Sequence, residues 1–600
     1  MAGFFTLSDQ KIENLLNLAL DASQEERQKS QILEVGYDAQ DQMWEVIIRY
    51  NGKLDAEERG WGVVYLSGGY AILTLPQSDI ELLSSLPQVE YIEMPKRLYF
   101  SVDTGRASSC ISSVQTMDIS LFGEDILIVV IDSGVDYFHP DFRNEDGTTR
   151  IAAIWDQTAE NAQSLPQGEG NDSEKDRLRP PSGFFLGVEY TREDIDKALA
   201  SGSQADGYAI VGERDTTGHG TQVLGIAAGN GRASGGRFRG VAPRSDILVV
   251  KLGNARLGGF PRTTQLMQAL EYAVQKAREL GKPLAVNLSF GNVYGSHRGN
   301  SLLETYIDML AVQGKTVIVA GTGNEGNAGG HVSGRLSDWE IQEIEFIIDE
   351  FETSMNLQIW KNYADMFRIT VVSPNGKTVG PFGREIGASR YRLGETELLV
   401  YFGMPGPYQS MQEIFIDFLA EDTYLDSGVW KVILTPERIV EGAYDMWMID
   451  AKGRNFGTRF LKPTPDTTLT IPSTSARVIA VGAYDARRKA YASFSGRGWH
   501  DEPFFVRPDL AAPGVEVTTT AAGGGYVSVT GTSFAAPFVT GAAALLMQWG
   551  IVQGNDPYLY GEKVKAYLRK GARQLPGFEK WPNNQVGYGA LCVRDSLPFD

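Results

Sequence analysis

The stretch ILIVVIDSGVDYFHPDF, residues 126–142, opens with six consecutive apolar residues and stops at an aspartate. An apolar run without alternation reads as a strand buried on both faces, which is the signature of a parallel sheet covered by helices. Asp132 then falls at the carboxyl end of that strand, the edge where open α/β sheets gather ligand and catalytic groups. A carboxylate there is costly unless it is hydrogen-bonded, and an imidazole N–H is one suitable partner. An Asp-Ser-Gly by itself is equally a structural turn.

Working outward, SDILVVKLG (245–253), KPLAVNLSFG (282–291), KTVIVAGTGN (315–324) and ARVIAVGAYD (476–485) repeat the buried run. The amphipathic TTQLMQALEYAVQKARELG (263–281) lies among them and ends on a helix-stopping glycine. Between the fourth and fifth runs the helices vanish. Seven short strands, several of them clearly alternating (343–350, 354–361, 365–372, 397–403, 413–420, 428–436 and 444–450), point to a β-sandwich, jelly-roll-like, set into the α/β fold. Upstream, a helix over 7–28, strands 43–50, 70–76 and 89–95, and a helix at 78–87 make a small α/β unit. The predicted organisation is 1–100, an N-terminal helix and α/β unit; 101–330, the first part of the parallel-sheet domain; 331–470, the inserted β domain; and 471–600, the second part.

Bulk properties narrow the function. A formal charge of −20 argues against a nucleic-acid partner, which needs a basic face. The two cysteines, Cys110 and Cys592, offer neither a disulfide framework nor a multi-cysteine zinc site, and a reducing compartment is expected. The opening residues lack a basic then apolar leader, and no stretch reaches the roughly 18 apolar residues of a membrane span.

Chemistry concentrates in three further places. Ser533, in GTSFAAPFVTG (531–541), stands at a helix start, where a serine favours capping and Pro537 is expected among the N–H groups that lack partners. A nucleophilic serine needs a base, and the base an orienting acid. Of five histidines only His219 sits in a glycine frame, DTTGHGTQVLGIAAG (215–229). Asn324 follows a buried strand; its amide and the Ser533 N–H could serve a developing oxyanion, although an asparagine in a glycine loop is otherwise a turn former. Each reading is weak singly, and the four together are specific.

VVIDSGVDYFHPDF, GHGTQVLGIAAG, NLSFG, AGTGNEG, RPDLAAPG and GTSFAAP occur in the order of the subtilisin family's landmarks, and the chain resembles that family of serine proteases. The resemblance implies Ser533 as nucleophile, His219 as general base and then acid, Asp132 as the orienting carboxylate, and Asn324 with the Ser533 N–H as the oxyanion hole. It implies Ser289, Phe290 and Gly291 on one wall of the primary specificity pocket and Gly321, Thr322 and Gly323 on the other. Leu257, Gly258, Gly259 and Phe260 would form an edge that pairs with extended substrate. Residues 30–100 resemble a subtilase prodomain, with the scissile bond near Phe100–Ser101. The whole is most similar to the clostridial spore-germination (Csp) proteases of the active type. That implies a protein or peptide substrate, for instance a cortex-hydrolase zymogen, a prodomain that stays bound, and a cytoplasmic or spore location. A general intracellular subtilisin and a catalytically idle scaffold are the alternatives. The family's calcium loop is replaced by GNGRASGGRFRGVAP (229–243), with Arg237 and Arg239 where oxygen ligands are wanted, so neither metal nor cofactor is expected. The charged stretch 164–181 reads as a surface loop.

Overall fold

The computed structural model describes residues 11–12, 16, 19–20, 37–38, 42–66, 69–93, 102–161, 178–253, 261–383, 387–405, 409–500 and 506–598. Phe100, Ser101, Leu257–Phe260, most of 164–181 and most of the helix expected at 7–28 lie outside them. The chain divides into two compact units, Met1–Tyr99 and Phe100–Asp600.

The smaller unit is an antiparallel sheet in the order Tyr37–Asp38, Met43–Tyr50, Tyr70–Pro76, Gly62–Leu66, with Val89–Glu93 also pairing Met43–Tyr50. Alternate residues of the central strand, Trp44, Val46 and Ile48, face a core shared with Ile80 and Leu83 of the helix Ile80–Ser85. Ser78 does not cap that helix; its hydroxyl donates to Asp79 instead.

In the larger unit we label the sheet strands β1 (Leu127–Asp132), β2 (Ile151–Asp156), β3 (Val188–Thr191), β4 (Asp246–Lys251), β5 (Leu284–Leu288), β6 (Thr316–Gly321), β7 (Ile479–Asp485), β8 (Ala490–Tyr491) and β9 (Leu510–Pro513). Their order is β8-β7-β6-β5-β1-β4-β2-β3, with β9 also on β7. The stretch β7-β6-β5-β1-β4-β2 is parallel throughout, and β3 and β8 are antiparallel at its two edges. Among its helices are α1 (His219–Ala228), α2 (Thr263–Leu280), α3 (Leu302–Leu310) and α4 (Thr532–Met547). Side chains alternate across β1. Ile128 and Val130 pack with α1 and α4 on one face, while Leu127, Val129 and Ile131 pack with α2 and α3 on the other. The uninterrupted run at 126–131 follows from this two-sided burial.

Between β6 and β7 the chain builds two antiparallel sheets around one core that includes Phe346, Leu357, Ile359, Ile416, Phe418 and Trp430. The seven expected strands are all present within a residue or two of their forecast starts. Thr378–Phe382 and Gly387–Leu393 join them, as do His331–Arg335 and Arg459–Phe460. The first two escape a sequence reading because they are sheet-edge strands with almost no buried side chain to mark a period.

Three expectations need correction. The two cysteines do form a disulfide, Cys110–Cys592, across a sequence separation of 482. The fold brings them together where Val593 N–H donates to the Ser109 carbonyl, so cysteine count alone gives no ground for a reducing compartment. One helix, Thr532–Val552, is long and apolar enough to cross a membrane by length and composition; 83% of that window is buried inside the fold, where it is the central core helix. Pro537 is the sixth residue of α4, beyond the free N–H groups, and removes a backbone hydrogen bond from within the helix.

Candidate active site

The carboxyl edge of the sheet brings the singled-out residues together. Asp132 ends β1 in register with Lys251, the last residue of β4. His219 is the first residue of α1, after Gly218 in the left-handed conformation at φ +78°. A Cβ on Gly220 would sit 2.2 Å from the Gly134 carbonyl oxygen, so only glycine lets the helix start close onto the turn behind Asp132. The result is a hydrogen bond of 2.7 Å between His219 Nδ1 and Asp132 Oδ1. The same Oδ1 accepts the Ser133 N–H at 2.7 Å.

Asp215 welds this geometry from behind. Its Oδ1 accepts from Ser133 Oγ and the Gly218 N–H, both at 2.8 Å. Its Oδ2 accepts from the Thr221 N–H at 2.8 Å and the Thr221 hydroxyl at 2.7 Å. The Ser133 hydroxyl in turn accepts the Gly220 N–H at 2.9 Å. Burial on its own would lower the His219 pKa. The Asp132 charge and hydrogen bond outweigh it and hold the imidazole above its ordinary value, with Asp215 adding to the rise and Lys452 opposing it.

Ser533 is the second residue of α4, so its backbone N–H precedes the first intrahelical bonds. Its hydroxyl does not cap the helix. It donates to the Ser289 carbonyl at 2.9 Å, while Ser289 Oγ donates back to the Ser533 carbonyl at 2.8 Å. The missing N–H of Pro537, four residues on, leaves that carbonyl free for Ser289. No Ser533–His219 hydrogen bond occurs among the described residues. Asn324 lies three residues beyond β6, and its Oδ1 accepts the Thr532 N–H at 3.1 Å and the Thr532 hydroxyl at 3.2 Å. This fixes the amide so that Nδ2 remains as the outward donor.

The chain as a whole matches known proteins. The subtilase family model matches residues 123–342 and 454–589, and the Csp protease B prodomain model matches 10–96. The chain belongs to the subtilase family. The solved structure of the Clostridium perfringens CspB protease is similar at 35% identity and a TM-score of 0.74, covering 82% of this chain and 96% of that one. Subtilisin-like protease SBT3.8 of Arabidopsis thaliana is 24% identical over 511 residues, 79% of this chain. The minor extracellular protease Vpr of Bacillus subtilis is 22% identical over 506 residues, 80% of this chain. The chain spans 62% and 52% of the lengths of these two relatives.

In this subtilase the residues forecast for the two pocket walls lie at the carboxyl ends of β5 and β6. Ser289 is buried and tied to Ser533, and Phe290 packs on the core on the α2 and α3 side of the sheet. Gly321 faces the Thr532 carbonyl, and Thr322 is fully buried with its N–H on the Val481 carbonyl. Gly291 and Gly323 both abut Thr470, and a Cβ on either would lie 2.5 Å from its Oγ1. Thr470 therefore stands between the walls, a neighbour that sequence patterning did not single out.

Around the segment that replaces the family's calcium loop, polar groups are tied to protein partners. Asp141 accepts the Ala233 N–H and the Tyr526 hydroxyl, both at 2.8 Å, with its two carboxylate oxygens. The buried Arg150 guanidinium donates to the carbonyls of Asp141, Ala228 and Ser245. Arg237 and Arg239 do not enter the site; they lie over the rings of Phe238 and Phe122. Among the described residues no group of three or more His, Cys, Asp or Glu is placed to hold a metal ion.

Sequence reading missed Asp215, Thr532 and Lys452. The first two lie inside the quoted motifs, Thr532 next to Ser533 and Asp215 shortly before His219. Lys452 sits in the segment returning from the inserted sheets and carries no local signal at all.

Proposed function

We propose that this chain is a serine endopeptidase that works through an acyl-enzyme. The observation that carries the reading is the 2.7 Å His219–Asp132 hydrogen bond on the same sheet edge as Ser533 and Asn324. Rotation about the Ser533 side chain frees its hydroxyl from Ser289 and turns it toward His219. His219 Nε2 takes the proton as Ser533 Oγ attacks the scissile carbonyl, and Asp132 keeps Nδ1 protonated and oriented. The Ser533 N–H and Asn324 Nδ2 stabilise the oxyanion. His219 then gives its proton to the leaving amine, and a water, deprotonated by the same imidazole, releases the acyl group.

Four finer statements belong to the same proposal. The enzyme cleaves itself once near Phe100–Ser101, and the prodomain remains bound non-covalently. Its substrate is a zymogen of a spore cortex hydrolase, and it works in the cytoplasm or the spore. The match to a Csp prodomain model and the likeness to a CspB protease support these.

The test compares wild type with Ser533→Ala. Wild type should appear on a denaturing gel as two fragments, with a new N-terminus near Ser101, and should react with a fluorophosphonate. Ser533→Ala should stay intact and unlabelled. Two intact, unreactive chains would refute the proposal and leave a scaffold.

A further inference from the structure

Glu213 stands two residues before Asp215, and the mechanism above does not use it. It is fully buried. Its Oε1 accepts the Val135 N–H at 3.1 Å, and its Oε2 has no hydrogen-bond partner among the described residues. It presses on the turn that follows the catalytic aspartate so closely that a Cβ on Gly134 would lie 2.0 Å from Oε1. Gly134 has φ +116°, a conformation other residues rarely adopt, so the turn is built to receive this carboxyl group.

The surroundings are acidic. Asp156 from β2 and Asp215 from its own segment act on Glu213 as like charges, and Lys251 from β4 is the opposing cation. Lys251 is already committed, with its ammonium donating to the Arg214 carbonyl at 2.6 Å. The phenols of Tyr137 and Tyr208 also feel the Glu213 charge, and burial first holds both above the ordinary phenol value. Burial, then Asp156 and Asp215, push the Glu213 pKa well above the ordinary carboxylate range. The neutral carboxyl is the form this site accommodates. An ionised one would place an unsolvated charge on the partnerless Oε2 beside two carboxylates.

We propose that Glu213 is a positioning residue that holds the Asp132–Asp136 turn through Val135 and sets the alkaline limit of catalysis. When it ionises, the charge must be relieved by drawing in water or Lys251, and either movement releases the turn that aligns Asp132 with His219. The inference rests on the serine-protease reading of Ser533.

The test is the rate of fluorophosphonate labelling of Ser533 in the mature form between pH 5 and pH 10.5. The proteins are wild type, Glu213→Gln and Glu213→Leu, with thermal melts confirming that each is folded. Wild type should rise through the His219 limb and then fall about fivefold or more by pH 10. Glu213→Gln keeps an acceptor for Val135 but cannot ionise, so it should retain the acid limb and lose the alkaline fall. Glu213→Leu lacks the acceptor and should label about tenfold more slowly at every pH. A wild-type rate that stays level to pH 10 overturns the proposal without any variant, and so does the same alkaline fall in Glu213→Gln. No labelling of wild type at any pH would instead refute the protease reading, and this inference with it.

Discussion

Replacing Cys592 with serine removes the covalent tie between the beginning and the end of the larger unit. The bond closes a loop with a sequence separation of 482. In the chain-entropy account such a loop is worth about 6 kcal/mol at 25 °C, above the roughly 2–5 kcal/mol that loss of a native disulfide usually costs. We expect the lower figure, because an unfolded chain of this length keeps residual structure. Unfolding the Phe100–Asp600 unit carries an entropy of about 1 kcal/mol/K, at the usual value per residue. The melting temperature should therefore drop by about 2–5 °C. Calorimetry is best done on a Ser533→Ala background, which prevents self-digestion. Cys110→Ser should give the same shift, and the two replacements together should add nothing further. Alkylating the unreduced, denatured chain should modify neither cysteine. Uptake of two alkyl groups, or coincident melts with and without Cys592, would refute the reasoning.

Three more outcomes follow from the geometry. Asn324→Ala should lower kcat by about 10²–10³, the magnitude known for an oxyanion asparagine in subtilisin, with KM little changed; Thr532→Val, which frees only one of the two bonds on the Asn324 amide, should cost about tenfold. Because His219 must be neutral to act as base and Asp132 holds its pKa above the ordinary value, activity should fall with decreasing pH along a limb above about 6.5. Asp132→Asn should move that limb downward and cut kcat by about 10⁴, as read from pH–rate profiles. Asp509 is fully buried and accepts from Arg507, Arg569 and the Ala480 N–H. Burial would raise its pKa, but Arg507, Lys565 and Arg569 hold it below the ordinary value. Its stabilisation is complete above the unfolded pKa of about 3.9 and is lost as pH falls through the lower folded value. Asp509→Asn should thus destabilise by about 3–5 kcal/mol at pH 7 in urea melts, and the gap to wild type should close in strong acid.

The parallel sheet and its catalytic edge were legible because two-sided burial writes itself into the chain as unbroken apolar runs. Asp132, Asn324 and His219 could be placed from where those runs end or where the next helix begins. What stayed hidden depends on long-range closure. Cys110 and Cys592 are neighbours only once both ends of the larger unit are in place. Glu213 looks like any loop glutamate until the Gly134 turn folds over it. The resting bond of the Ser533 hydroxyl was equally invisible, since the Ser289 carbonyl that takes it lies just beyond β5, 244 residues away in sequence. Pro537 misled for a related reason, because its effect falls on a carbonyl four residues back that the distant Ser289 hydroxyl satisfies.

The inserted sheets leave and re-enter the subtilase fold through a narrow doorway. His331 and Thr464 face each other there, with the Thr464 N–H on the His331 carbonyl at 2.8 Å and His331 Nδ1 3.2 Å from the Thr464 carbonyl. Just inside, the Met448 N–H meets the Gly330 carbonyl and the Phe460 N–H meets the Gly329 carbonyl, both at 2.9 Å. A cassette whose two ends touch can be removed or exchanged without stretching its host. The doorway is not the sole tie, because Gln358 bonds the Val293 carbonyl and the Gly295 N–H of the host and Trp447 stacks on His297. The same doorway opens a few residues beyond Asn324, where the Ala451 N–H meets the Glu325 carboxylate at 3.3 Å, so the cassette is tied to the residue next to that asparagine.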